Sequence, residues 1–184
     1  MCLICIHFGC TKQCFYKERT PRASISGVSL AQTFSDMLFS MTALMLFSRN
    51  DRNPCITGTT DRLAGYGGKV HCYISDEDVA SEAKSRGCTR ATVCMERGAE
   101  VSKEAPVIFA IGNAPTALVR LAEMIETGEL KPALIIGAPV GFVNVVESKE
   151  IIMDLDVPYI IPRGRKGGSN IAATICNAMI YYKG

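Results

Sequence analysis

The chain has no apolar run of the ~20 residues that a bilayer-spanning helix needs. Its densest apolar patch, residues 37–47, falls well short of that length. The patch also lies too far from the start for a signal sequence and has no convincing cleavage site behind it, so a cytoplasmic setting is expected. Charge of one sign is missing too. A net charge of +2 over 184 residues gives no general attraction to nucleic acid or to an anionic membrane, so any basic cluster must be argued locally. Neither the G-x-G-x-x-G nor the Walker phosphate pattern occurs, which weakens a nucleotide-binding reading. What is present, 21% charged and 48% hydrophobic residues, is ordinary globular composition with room for one real core.

Cysteine is plentiful instead, and unevenly placed. Cys72, Cys88, Cys94 and Cys176 are scattered through periodic sequence, where cysteine behaves as a small buried hydrophobe. Cys2, Cys5, Cys10 and Cys14 crowd the start together with His7. Their C-x2-C-x4-C-x3-C spacing offers four soft ligands for zinc or an iron–sulfur cluster. The spacing matches no standard site, and no glycine knuckle shapes the first pair. A frayed end with reduced thiols and no metal is the expectation, and disulfides are not expected in the cytosol.

Between residues 107 and 177 one unit occurs three times: an apolar run, a Gly-, Asn- or Pro-bearing turn, and a helical segment. The turns are Gly112-Asn113-Ala114-Pro115, Gly137-Ala138-Pro139, and the longer stretch from Pro162 to Ser169. Short apolar strands alternating with helices indicate βαβ units, hence an α/β fold with a mostly parallel sheet and helices on both faces in three layers. Ligands of such sheets sit outside the carboxyl ends of the strands, so all three turns are expected on one functional rim.

The division falls near residue 62. Residues 62–184 form the α/β domain, in which each element has a start, a periodic body and a stop. Residues 70–74 read as a strand, 76–86 as a helix capped by Ser75 and stopped by Gly87, and 89–97 as a helix with Gly98 behind it. Pro115 suits a first helical turn. Leu118, Leu121, Ala122 and Ile125 make the stripe of the next helix. Residues 145–155 follow with Val146, Ile151 and Leu155. Ser169 caps the last helix, whose Ile171, Ile175, Ala178 and Met179 face inward. Residues 1–61 are a divergent or irregular segment. A buried helix over 35–47 is its one candidate element, and local signals there disagree with one another.

Three groups are candidates for ligand contact. Arg163, Arg165 and Lys166 leave a strand end, and Gly167-Gly168-Ser169 opens a helix. The cations suit anion capture, and the helix start adds unpaired N–H groups. A solvated basic loop is the bland alternative. Asn113 either caps its helix or turns its amide to a ligand. Thr89 and Arg90 begin a helix, as a cap with an exposed arginine or as a contact to a carboxylate. The stretch from Gly137 to Phe142 is too apolar for chemistry and reads as a wall. Glu147 and Lys149 follow on the next helix, two apart and so not facing each other.

The stretches HCYISDEDVA, AIGNAPTAL, PALIIGAPVGFVNVVESKE and GRKGGSNIAATICNAM resemble the precorrin-8X methylmutase family, also called precorrin isomerase, over about residues 62–179. The resemblance implies an α/β enzyme of cobalamin synthesis, usually a homodimer. Its members move a methyl group from C-11 to C-12 of a tetrapyrrole, the corrin precursor, with or without cobalt. No organic cofactor is implied, because the rearrangement is internal to the substrate. A broad macrocycle fringed with carboxylates calls for an apolar slot and a few convergent donors, which makes Thr89, Arg90, Asn113, Arg163, Arg165, Lys166 and Ser169 the expected substrate contacts. The family also carries a catalytic histidine in the first quarter of the chain, in an Arg-x-x-His-like context, suited to proton transfer near neutral pH. Neither His7 nor His71 stands in that context, so the catalytic residue is not assigned. A non-catalytic corrinoid binder on the same fold is the alternative. Either the first third is out of register with the ancestral reading frame, rejoining near Arg62, or it has diverged. A histidine-bearing block in another frame upstream of codon 62 is the expected sign of the former, and its absence from the gene would end that idea.

Overall fold

The computed structural model describes residues 3–8, as strand backbone, together with Leu63 and residues 68–181. Its elements are β1 (Leu3–Phe8), β2 (Gly68–His71), α1 (Glu77–Arg86), α2 (Arg90–Ser102), β3 (Val107–Ile111), α3 (Pro115–Glu126), β4 (Leu134–Gly137), α4 (Val145–Asp154), β5 (Tyr159–Ile160) and α5 (Ser169–Tyr181).

β3 reads Val-Ile-Phe-Ala-Ile, and every one of its residues is buried, as is every residue of β4. Such continuous apolar runs belong to strands covered on both faces. The sheet order is β2-β1-β3-β4-β5. β3, β4 and β5 are parallel, with Ile108 opposite Leu134 and Ile135 opposite Tyr159. β1 runs antiparallel to both β2 and β3, placing Cys5 between His71 and Phe109. Residues 3–8, where the sequence offers no firm element, are thus an inner strand. Cys5 stands in the sheet; Cys2, Cys10, Cys14 and the expected helix over 35–47 lie outside the described residues.

Stepping from β3 to β4 to β5 in one direction with right-handed crossovers puts α3 and α4 on the same face. There α1 packs on α2, α2 on α3 and on β3, and α3 on α4. After β5 the chain returns as α5, which covers β3 and β4 from the other side. The expected three layers are present.

Most boundaries fall within a few residues of those read from the sequence, and the departures have physical reasons. α1 starts after Asp76, with Glu77 and Asp78 in its first turn, Lys84 and Arg86 in its last, and Gly87 stopping it at φ 64°. These placements suit the macrodipole. α2 runs straight through Gly98, which is buried inside it; the glycine serves packing here and is no stop. α4 turns Val145, Ser148, Lys149 and Ile152 inward, leaving Ile151 38% exposed. On α5 the inward residues are Ala172, Ala173, Cys176 and Ile180, with Ala178 exposed.

Three helices are stitched together by charge. Glu96 on α2 accepts from Arg86 on α1 at 2.6 and 3.0 Å, and from Arg120 on α3 at 3.0 Å. Arg97 on α2 pairs with Asp78 at 2.7 Å and Glu82 at 3.1 Å on α1. Hydrogen bonds from Arg86 hold the carboxyl groups of Glu96 and Glu82 below the usual range, and one from Arg97 does so for Asp78. A lowered folded-state value means the contribution is complete above the ordinary glutamate value of 4.5 and is lost as pH falls through the lower folded value. Replacing Glu96 by Gln is therefore expected to cost about 1 kcal/mol near neutral pH, since its partners are partly exposed. Thermal melts should show a fall of roughly 3 °C that disappears in acid.

Candidate functional site

Parallel strands deliver their carboxyl ends to one edge, and backbone contacts chain the three following turns there. The N–H of Ala138 donates to the carbonyl of Ile111 at 2.7 Å, joining the first turn to the second. The N–H of Gly168 donates to the carbonyl of Ala138 at 2.8 Å, joining the second to the third. The third returns to the first, because Gly112 lies directly against Ser169. A Cβ on Gly112 would come within 2.5 Å of the Ser169 Cα. A Cβ on Gly167 would collide with the carbonyl oxygens of Ala138 and Pro139. Only glycine lets backbone approach backbone so closely.

Beside this chain of turns is an open cavity of about 430 Å³, lined by Ile74, Thr89, Arg90, Ala91 and the stretch from Asn113 to Thr116. It brings together three of the expected contacts, Thr89, Arg90 and Asn113. Thr89 caps α2, its hydroxyl accepting the N–H of Thr92 at 3.1 Å and standing 3.2 Å from the hydroxyl of Thr116. Asn113 is not a cap: α3 begins after Ala114 with Pro115 in its first turn and no side-chain cap bond. Its amide is half-buried at the cavity. Arg90 is exposed and makes no ion pair among the described residues. Two helix N-termini and one arginine thus give this hollow a positive bias.

Arg163, Arg165 and Lys166 are exposed on the third turn and do not line the cavity. The Arg165 guanidinium lies 5.5 Å over the ring centroid of Phe142, which is 83% exposed beside Val143 at 77%. The apolar wall therefore projects outward from the rim and meets the basic turn through a cation–π contact. Ser169 is the first residue of α5, pressed against Gly112.

The residue that sequence reasoning passed over is Lys149. It is fully buried, and its ammonium donates to the carbonyls of Pro162 at 2.9 Å, Gly164 at 2.8 Å and Lys166 at 2.7 Å. Burial lowers its pKa from the ordinary lysine value, while three carbonyl dipoles favour the charged form. A signal existed: Lys149 stands four residues after Val145 and three before Ile152, on the same helical face as those buried residues. Its companion Glu147 is exposed.

The remaining reactive side chains stand apart. His71 is half-buried in β2, its Nδ1 2.9 Å from the Tyr73 hydroxyl, and does not line the cavity. Burial pushes the Cys94 thiol up to about 12 and raises that of Cys176 as well, which leaves both inert at neutral pH. No group of three or more metal-ligating side chains occurs among the described residues.

A family model described as precorrin-8X methylmutase matches residues 51–182. Over 126 residues the chain is 45% identical to the cobalt-precorrin-8 methylmutase of Leptospira interrogans, covering 65% of this chain and 57% of that protein. Over 118 residues it is 48% identical to the cobalt-precorrin-8 methylmutase of Priestia megaterium, covering 64% and 52%. The chain thus spans about half the length of these relatives. The crystal structure of precorrin-8x methyl mutase from Thermus thermophilus matches with a TM-score of 0.65 at 29% identity, over 84% of this chain and 73% of that one.

The close approach at Gly167 can be tested directly. Gly167→Ala is expected to lose about 2 kcal/mol of stability, as forced overpacking does. Chemical denaturation should show that loss as a lowered midpoint.

Proposed function

The chain belongs to the precorrin-8X methylmutase family, and from that membership we propose that it binds a corrin precursor and moves a methyl group from C-11 to C-12 of the ring. It would thereby act as an isomerase of cobalamin synthesis, with no organic cofactor. The observation that carries the reading is the closed circuit of turns, Ile111 to Ala138 to Gly168 and back through Ser169 to Gly112. That circuit ties the loop bearing Arg163, Arg165 and Lys166 to the turn bearing Asn113. A flat, acid-fringed ring needs apolar surface for its face and cations for its rim. Phe142 and Val143 supply the first, and Arg90, Arg163 and Arg165 the second. Thr89, Asn113 and Ser169 add polar contacts at the starts of α2, α3 and α5. No histidine lines the cavity among the described residues.

The proposal includes a homodimer in a cytoplasmic setting. Exposed Val140, Ile151 and Tyr159 offer apolar surface for pairing. Among the described residues, no helix is long and apolar enough to cross a membrane.

Anaerobic incubation of the purified chain with precorrin-8, followed by absorbance, is expected to show the spectrum of the rearranged ring. Binding without product would remove the isomerase reading, and an unchanged spectrum with no binding would remove both. Arg163→Ala and Arg165→Ala are each expected to weaken substrate binding about tenfold, the size of one charge-assisted hydrogen bond. Sedimentation should give about twice the 19.9 kDa of one chain.

A further inference from the structure

We propose that Lys149 is the positioning residue of the basic turn, an internal cation around which residues 162–166 are folded so that Arg163 and Arg165 point out to the ligand. The inference rests on the reading of this rim as a polycarboxylate site and adds what holds it in shape. The observation is an alternation. The carbonyls of residues 162, 164 and 166 all converge on one ammonium, at 2.9, 2.8 and 2.7 Å. The side chains of Arg163 and Arg165, between them, are exposed. An ammonium has three N–H donors, and all three are matched.

The turn has few other attachments. On one side it leaves β5, only two residues long. On the other it is latched to the second turn by the N–H of Gly168 and the close approach of Gly167. Between those anchors Gly164, at φ 73°, meets nothing that would confine a side chain there. Arg165 touches the outward Phe142 ring, itself 83% exposed and a poor anchor. The fixed point of the turn is therefore a side chain from α4, fully buried and with no acid partner among the described residues. A lysine so placed carries no contact to ligand itself. It determines where two arginines stand, and because bidentate capture of carboxylate is sensitive to geometry, it determines affinity through them.

The test compares native chain, Lys149→Met and Lys149→Arg in two measurements. The first is the rate of trypsin cleavage after residues 163, 165 and 166, read by mass spectrometry, with circular dichroism reporting the rest of the fold. The second is an absorbance titration with cobyrinic acid, a corrin carrying carboxylates around its edge. Lys149→Met is expected to be cut in this turn at least tenfold faster and to bind about tenfold more weakly. Lys149→Arg, which keeps the charge and donors, should restore both to within about threefold of native. If Lys149→Met does not fold, Lys149→Gln, with two donors for three carbonyls, carries the same comparison. Unchanged cleavage overturns the clamp. A freed turn with unchanged affinity overturns the positioning role. A native chain that does not bind cobyrinic acid sinks the polycarboxylate reading of the rim, and the cleavage rates alone then uphold or overturn the clamp.

Discussion

Main chain packed on main chain, with no side chain between, is the constraint on which the site end of this molecule depends. Gly112 on Ser169, and Gly167 on Ala138 and Pro139, let three separate βα connections share one small volume. Each connection follows a different strand, so their mutual placement inherits the rigidity of the buried sheet. The hydrogen bonds through Ala138 then make the second turn the bridge between the other two. Functional groups carried on these turns are held by the core and not by flexible loops of their own.

A second theme is electrostatic. Arg163, Arg165 and Lys166 are exposed on the third turn, whose carbonyls hold the buried Lys149, and Arg90 is exposed at the cavity. Dipoles and not acids meet the buried charge: three carbonyls enclose Lys149. Carboxylates are instead spent elsewhere, on the α1–α2–α3 network around Glu96 and Arg97. Among the described residues, no ion pair involves Arg90, Arg163, Arg165 or Lys166.

Much of this was legible in the sequence. The apolar runs of β3 and β4 announce strands buried on both faces, and the turn residues after them mark where the chain leaves the sheet for α3 and α4. Thr89, Arg90 and Asn113 line one hollow, although Thr89 is also the cap, and Arg163, Arg165, Lys166 and Ser169 do not line it. What was not legible depended on tertiary contact. Gly98 looks like a helix stop, yet burial decides in favour of continuation. Lys149 looks like a surface charge, because its acceptors lie up to seventeen residues further along the chain. β1 gives no signal of its own, since its partners are β2 and β3, both distant in sequence.

That last pairing has a bearing on the order in which the molecule assembles. His7 sits opposite Val107, so the amino-terminal strand is synthesised about a hundred residues before its inner neighbour exists. The parallel β3-α3-β4-α4-β5 portion relies on near neighbours and can gather early, whereas β1 must close a long loop to find its slot. Until it does, β2 and β3 each present an unpaired edge to the surroundings. Nascent chains stalled between those two moments would be the species most inclined to associate with one another.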